Sequence, residues 1–243
     1  MSWRVATVTG LRDETPDART VSVAVPGWPG HDAGQHVDVR LTAPDGYTAT
    51  RSYSIASAVD GERLELTVER LPDGEVSPYL AGELAVGDVV EVRGPIGGWF
   101  VWRPEQAEPV QLIAGGSGIV PLMAMVRTHA ARGSTSPMRL LYSVRAPDAM
   151  FYREELERRA ETERALDVAY AYTRTAPTGW PAAPQRIDAG LIADRVLAAD
   201  TAPTTYVCGP TGFVEAVSGL LIDAGHDASR IRTERFGPTG GRP

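Results

Sequence analysis

The feature that most constrains the fold is a change of pattern near residues 103–109. Before it, apolar and polar residues alternate in six short runs: 3–9, 19–25, 36–41, 49–56, 63–70 and 88–93. A period of two turns one side of each run to a core and the other to water, as in half-buried strands. Pro26-Gly27, Pro29-Gly30, Pro44-Asp45-Gly46, Asp60-Gly61 and Gly94-Pro95 separate the runs as turn signals. Six strands with no long helix among them predict a small antiparallel barrel. After the change, denser apolar runs at 110–114, 139–144, 166–172 and 204–208 alternate with helix-like segments at 119–132, 151–161, 189–199 and 212–224, and a short run at 230–236 closes the chain. That order predicts an open parallel sheet with helices on both faces and ligands at the carboxyl ends of its strands. Pro104 and Pro109 bracket the link, so the predicted domains are residues 1–104 and 105–243.

Composition narrows the chemistry. The 243 residues are 43% hydrophobic and 23% charged, enough for two cores. Cys208 is the one cysteine, which excludes an internal disulfide and a cysteine-ligated cluster, so any electrons are carried by an organic cofactor. All 24 basic residues are arginine, which excludes Schiff-base lysine catalysis and a lysine-bearing phosphate loop. The net charge of -7 and the lack of a basic run argue against nucleic-acid partners. No apolar run of membrane-spanning length and no leader-like start is seen, so the expected location is the cytoplasm. His31, His36, His129 and His226 have no metal-like spacing, and no metal site is expected.

Five stretches carry possible chemistry. In Arg51-Ser52-Tyr53-Ser54 the strand period puts Arg51 and Tyr53 on one face and Ser52 and Ser54 on the other. A guanidinium beside an aromatic ring suits a planar, phosphorylated ligand, and equally an edge strand with a solvated arginine. In Gly74-Glu75-Val76-Ser77-Pro78, Ser77 is predicted to cap a helix with Pro78 at its first position. Its amides, with Gly74 permitting close approach, would form an anion site, though an ordinary capped helix reads the same. Gly115-Gly116-Ser117-Gly118-Ile119-Val120-Pro121 follows an apolar strand and opens a helix, the context of a dinucleotide phosphate turn, without the usual last glycine. Ser143, Arg145 and Arg153 follow the second strand of the sheet, where an arginine favours a ribose 2'-phosphate over the hydroxyl that an acid would hold. Asp148 lies close by, and a solvated loop arginine is the other reading. Cys208-Gly209-Pro210 ends the fourth strand, and the tail 233–239 brings Glu234 and Phe236 toward the same crevice.

Taken in order, Arg51-x-Tyr53-Ser54, Gly74-x-Val76-Ser77, Gly115 to Pro121, Cys208-Gly209-Pro210 and Glu234-Arg235-Phe236 resemble the motifs of the ferredoxin–NADP reductase family, over essentially the whole chain. The resemblance implies a six-stranded Greek-key barrel binding FAD over residues 1–104. It implies a five-stranded parallel sheet binding NAD(P)H over residues 105–243, as in the reductase part of oxygenase systems without an iron–sulfur domain. By the same resemblance Arg51 would hold the FAD pyrophosphate, Tyr53 would pack on the isoalloxazine and Ser54 would bond near flavin N5. Val68 would offer backbone contacts, and Gly74, Val76 and Ser77 would bind the pyrophosphate. Gly116, Ser117, Gly118 and Pro121 would bed the pyridine nucleotide, with Ser143, Arg145 and Arg153 around the 2'-phosphate. Cys208, with Gly209 and Pro210, would lie near the nicotinamide, and Glu234 and Phe236 near the reaction centre. Ser54, Cys208 and Glu234 are the implied catalytic residues. The expectation is an NADPH-dependent flavoprotein reductase passing electrons to a ferredoxin or oxygenase component. A flavin or quinone reductase and a non-catalytic flavin-binding sensor are the alternatives.

Overall fold

A computed structural model describes residues 2–237; the last residues of the predicted tail, with Thr239, lie outside them. Eleven strands and four helices are found among the described residues. The first six strands are β1 (Arg4–Thr15), β2 (Ala18–Ala24), β3 (His36–Thr42), β4 (Thr48–Ser54), β5 (Arg63–Glu69) and β6 (Val89–Ile96). They form one antiparallel sheet in the order β4-β3-β6-β1-β2-β5. Its two ends meet at an isolated Ile55–Leu66 bridge, supported by an Ala56 N to Glu65 O hydrogen bond of 2.8 Å, so the sheet closes into the predicted barrel.

The barrel core is what the period of two requires. Val21, Val23, Val37, Val39, Leu64, Leu66, Val68 and Val92 point inward and are almost fully buried. β1 runs to Thr15, well past the predicted end at residue 9. Register shifts between Val8 and Gly10 and between Asp13 and Thr15 break the alternation there, which is why the sequence pattern fades while the pairing to β2 continues.

The later strands are β7 (Val110–Gly115), β8 (Met138–Val144), β9 (Leu166–Tyr172), β10 (Thr204–Pro210) and β11 (Ile231–Phe236), with helices α1 (Ile119–Ala131), α2 (Arg153–Thr162), α3 (Ala189–Arg195) and α4 (Thr211–Asp223). They make a parallel five-stranded sheet in the order β11-β10-β7-β8-β9. Strands covered on both faces are apolar throughout, and β7 is buried along its whole length. Its one long polar side chain, Gln111, is fully buried and satisfied: its amide donates to Leu112 O and Arg139 O, and its oxygen accepts from Leu197 N at 2.9 Å.

Chain contacts divide the molecule into two compact units. One runs to Pro104 and takes in Met123–Gly133; the other holds Glu105–Leu122 and resumes at Ser134. Among the described residues, no helix is long and apolar enough to cross a membrane.

Candidate functional site

In the barrel the candidate residues lie on β4 and on the loop before a short helical turn. Arg51 pairs across with Val39, Tyr53 with Val37 and Ser54 with His36. The Arg51 guanidinium is half exposed; it donates to Thr50 O at 2.7 Å and forms an ion pair with Glu75. Tyr53 is half-buried against the barrel core, and burial pushes its hydroxyl up to about 12, so the ring stays neutral. Ser52 donates to Asp38 at 2.7 Å, and Arg93 grips the other Asp38 oxygen at 2.6 Å. Burial alone would raise the Asp38 carboxyl, but the bonds from Ser52 and Arg93 outweigh it and hold it below its ordinary range. Ser54 is only 6% exposed, and its hydroxyl has no hydrogen-bond partner among the described residues. A buried hydroxyl without a partner forgoes about 1–3 kcal/mol, so this one is an acceptor and donor held ready on the strand.

Val68 is buried by its side chain, which leaves only its backbone for any ligand. β5 ends the sheet order and meets β4 only through the Ile55–Leu66 bridge, so beyond Leu66 no described strand lies on that edge.

The loop 71–77 differs from its sequence-based reading. The Ser77 hydroxyl does not cap the helix: it accepts from Leu71 N at 3.1 Å, and the turn that follows makes no side-chain cap bond. That turn is one turn of π-helix, Tyr79–Glu83, too short to act as a helix-end anion site. The loop is instead closed on itself, with Gly74 N donating to Leu71 O at 2.9 Å. A Cβ at Gly74 would sit 2.7 Å from Ser77 Oγ and 3.1 Å from Leu71 O, so a side chain there would have to displace the Ser77 hydroxyl that closes the loop. Val76 is fully buried and anchors the loop in the barrel core.

In the parallel sheet, β7 ends at Gly115 and the chain turns through Gly116–Gly118 into α1. Gly116 takes a φ of +56°, which disfavours a side chain. Gly118 lies against the end of β10: a Cβ there would meet Cys208 O at 2.2 Å. A Cβ on Gly115 would strike the Phe213 ring at 2.7 Å, and one on Gly209 the same ring at 2.9 Å. Ser117 is half-buried in the turn, and Pro121 is buried in the first turn of α1. Thus the turn and the Cys208-Gly209-Pro210 strand end are brought together, through glycine contacts that the sequence did not show.

Cys208 pairs in register with Glu234, and Pro210 with Phe236. Burial pushes the Cys208 thiol well up, with a further push from Glu234, so it stays protonated. Burial also raises the half-buried Glu234 carboxyl to about 7, which makes it a group that can hold or release a proton near neutral pH.

Ser143 is buried at the level of Gly115, and Arg145 is exposed just past β8. Arg153 is exposed and paired with Glu157 on the same face of α2. Helix α2 starts at Arg153, after Tyr152 takes a left-handed φ of 58°. Residue Arg174 was missed in the sequence: its amide and that of Thr175 both bond Arg145 O, at 2.9 and 3.0 Å, which sets a second arginine beside the first. Glu75 was missed too, because its partner Arg51 is 24 residues away.

A closed antiparallel barrel with a polar strand, and a parallel sheet with a glycine turn at its carboxyl edge, define a flavin- and pyridine-nucleotide oxidoreductase architecture. Residues 7–101 match the oxidoreductase FAD-binding domain and residues 112–219 the oxidoreductase NAD-binding domain. The chain is 30% identical over 96% of its length to a ferredoxin–NAD(P)(+) reductase component of naphthalene 1,2-dioxygenase/salicylate 5-hydroxylase systems from a Ralstonia species, covering 69% of that protein. It is also 30% identical to a Deinococcus radiodurans flavohemoprotein over 87% of its length, covering 53% of it. Among solved structures, an Amycolatopsis cytochrome P450 reductase superimposes with a TM-score of 0.84 at 28% identity, over 98% of this chain and 71% of that one. The FAD/NAD-binding domain of a Vibrio cholerae nitric oxide dioxygenase shares the fold, with a TM-score of 0.87 over 97% of this chain and 99% of that one, at 24% identity. The chain belongs to the ferredoxin–NADP reductase-like family of FAD- and NAD(P)-binding oxidoreductases. It spans between 53% and 69% of the first of these curated relatives.

Proposed function

We propose that the chain is an NADPH-dependent FAD oxidoreductase that delivers electrons to a separate redox protein, a ferredoxin or an oxygenase component. The observation that carries the reading is the buried, unpartnered Ser54 hydroxyl on the same strand as Arg51 and Tyr53. FAD, when bound, takes an electron pair from the pyridine nucleotide and can release the electrons singly. The residues fit it. Arg51 offers a guanidinium to a pyrophosphate, the glycine-tight loop of Gly74, Val76 and Ser77 allows close backbone approach, and Tyr53 offers a neutral ring. Ser54 would give its free hydroxyl to a ring atom, and Val68 only its backbone.

On the nucleotide side, Gly116, Ser117, Gly118 and Pro121 would bed the pyrophosphate. Ser143 and Arg145, with Arg153 at the start of α2 and Arg174 on the segment that bonds Arg145 O, would favour a 2'-phosphate. Cys208, Gly209, Pro210 and Phe236 would border the nicotinamide. Glu234, raised to about 7, would hold a proton there at neutral pH. The domain roles follow as residues 1–104 for flavin and 105–243 for nucleotide. Support for the acceptor comes from the naphthalene dioxygenase-system reductase component and from a glycine betaine monooxygenase reductase subunit of Chromohalobacter salexigens, 32% identical over 85% of the chain.

The test is anaerobic addition of NADPH to the flavin-loaded protein. Bleaching of the flavin band is expected; a persistent oxidised spectrum would leave a sensor in its place. Replacing Arg145 with Ala should raise the KM for NADPH and leave that for NADH nearly unchanged, and equal effects on both would remove the 2'-phosphate role.

A further inference from the structure

The guanidinium that the proposed reading offers to a pyrophosphate is already gripped by a carboxylate of the chain. Glu75 stands in the 71–77 loop between Gly74 and Val76. One of its oxygens accepts from Tyr47 Oη at 2.7 Å, and the other faces the Arg51 guanidinium in an ion pair. Both partners come from β4 or the residue just before it. The Tyr47 hydroxyl, then Arg51, holds the Glu75 carboxyl below the usual carboxylate range, so it is charged at neutral pH. Arg51 also donates to Thr50 O at 2.7 Å, an anchor that does not involve Glu75.

A carboxylate and a phosphate ask the same of an arginine: positive charge and paired N–H donors for two neighbouring oxygens. The two cannot hold the same donors at once, and two anions side by side repel. We infer that Glu75 is an internal competitor for the pyrophosphate seat at Arg51, a specificity and affinity determinant that a diphosphate-bearing flavin must displace. This inference rests on the flavin reading of β4. It makes cofactor affinity lower than the donor set alone would allow, and it places that loss on the diphosphate and not on the isoalloxazine ring.

Full-length protein stripped of flavin and titrated with FAD, by quenching of flavin fluorescence, tests it. Glu75→Gln keeps the shape and removes the charge. The Kd for FAD should fall, by up to about fivefold, the ceiling set by a half-exposed charge pair. ADP, which carries the diphosphate alone, should gain to the same extent in a competition titration, and riboflavin should not gain. In an Arg51→Ala background the Glu75→Gln gain should vanish. Added salt should shrink the difference between wild type and variant. Tyr47→Phe frees the carboxylate from its second donor without removing it and should give a smaller gain. An unchanged or raised Kd in Glu75→Gln, or an equal gain for riboflavin, overturns the inference and leaves the flavin reading standing. Failure of the wild-type protein to bind FAD overturns both.

Discussion

The two candidate sites are built by opposite means. On β4 the groups are side chains left over from the packing pattern: Arg51 and Tyr53 only part covered, Ser54 buried with a free hydroxyl. At the end of β7 the groups are backbone, exposed by glycines whose missing side chains let two chain segments interlock. A side-chain site can be edited one residue at a time with little effect on folding. A backbone site is part of the packing, and its loss is first a loss of structure.

Gly118→Ala puts the sharpest strain on this contrast. The added Cβ falls 2.2 Å from Cys208 O and 2.4 Å from Cys208 C, backbone atoms with nowhere to go. Stability should drop by about 3 kcal/mol, measured by denaturant unfolding. Gly116→Ala has open space around it and only its left-handed φ against it, so about 1 kcal/mol is expected. Equal losses at the two positions would mean that conformation, not interlock, governs the turn.

Glu234 is the side-chain exception within the sheet. Its carboxyl is raised from 4.5 to about 7 by burial, so the folded state binds its proton more tightly than the unfolded chain does. The stability this contributes is complete below about pH 4.5 and is lost as pH rises through about 7. Compared with Glu234→Gln, the wild type should lose about 3 kcal/mol across that window. Parallel stability curves for the two proteins would show that the carboxyl is not buried enough to matter.

On β4 the expected change in stability is a small gain. Ser54→Ala removes a buried hydroxyl with no described partner, so unfolding free energy should rise, by about 1 kcal/mol, the low end of the cost of leaving such a group unsatisfied, while flavin reduction by NADPH in stopped flow slows. A large stability loss would mean the hydroxyl is a packing group, and an unchanged rate would take it out of the chemistry.

How much of this was readable in the letters depended on range. The strands and helices were, because each is a local period: β3 and β5 begin at the residues the alternation predicts, and β10 at the start of its apolar run. The glycine turn was readable because strand, glycines and helix are contiguous. Helix α3 ends at Arg195, four residues short of the predicted end, where Val196 turns extended. The Ser77 cap misled because a hydroxyl before a proline has two uses, and here the amide of Leu71, six residues back, takes it. Glu75 on Arg51, Phe213 under Gly115 and Arg174 beside Arg145 were out of reach, since each contact joins segments whose meeting is a property of the sheet.

The bridge that closes the barrel has a consequence for motion. Every other neighbouring pair of strands shares a run of ladder bonds, whereas β4 and β5 meet at one bridge. Across that gap lies Arg127, its side chain only 10% exposed, donating to Ala56 O at 3.0 Å and to Glu65 Oε2 at 2.8 Å. Local opening starts where the fewest bonds must break, so this line is where the barrel is expected to open first, held by the Arg127 bonds together with Ala56 N to Glu65 O and Glu65 N to Ser57 Oγ. Hydrogen exchange at the Ala56 amide is therefore a clock for the latch, and Arg127→Lys, which keeps the charge and gives up the rigid planar guanidinium, should make it run faster.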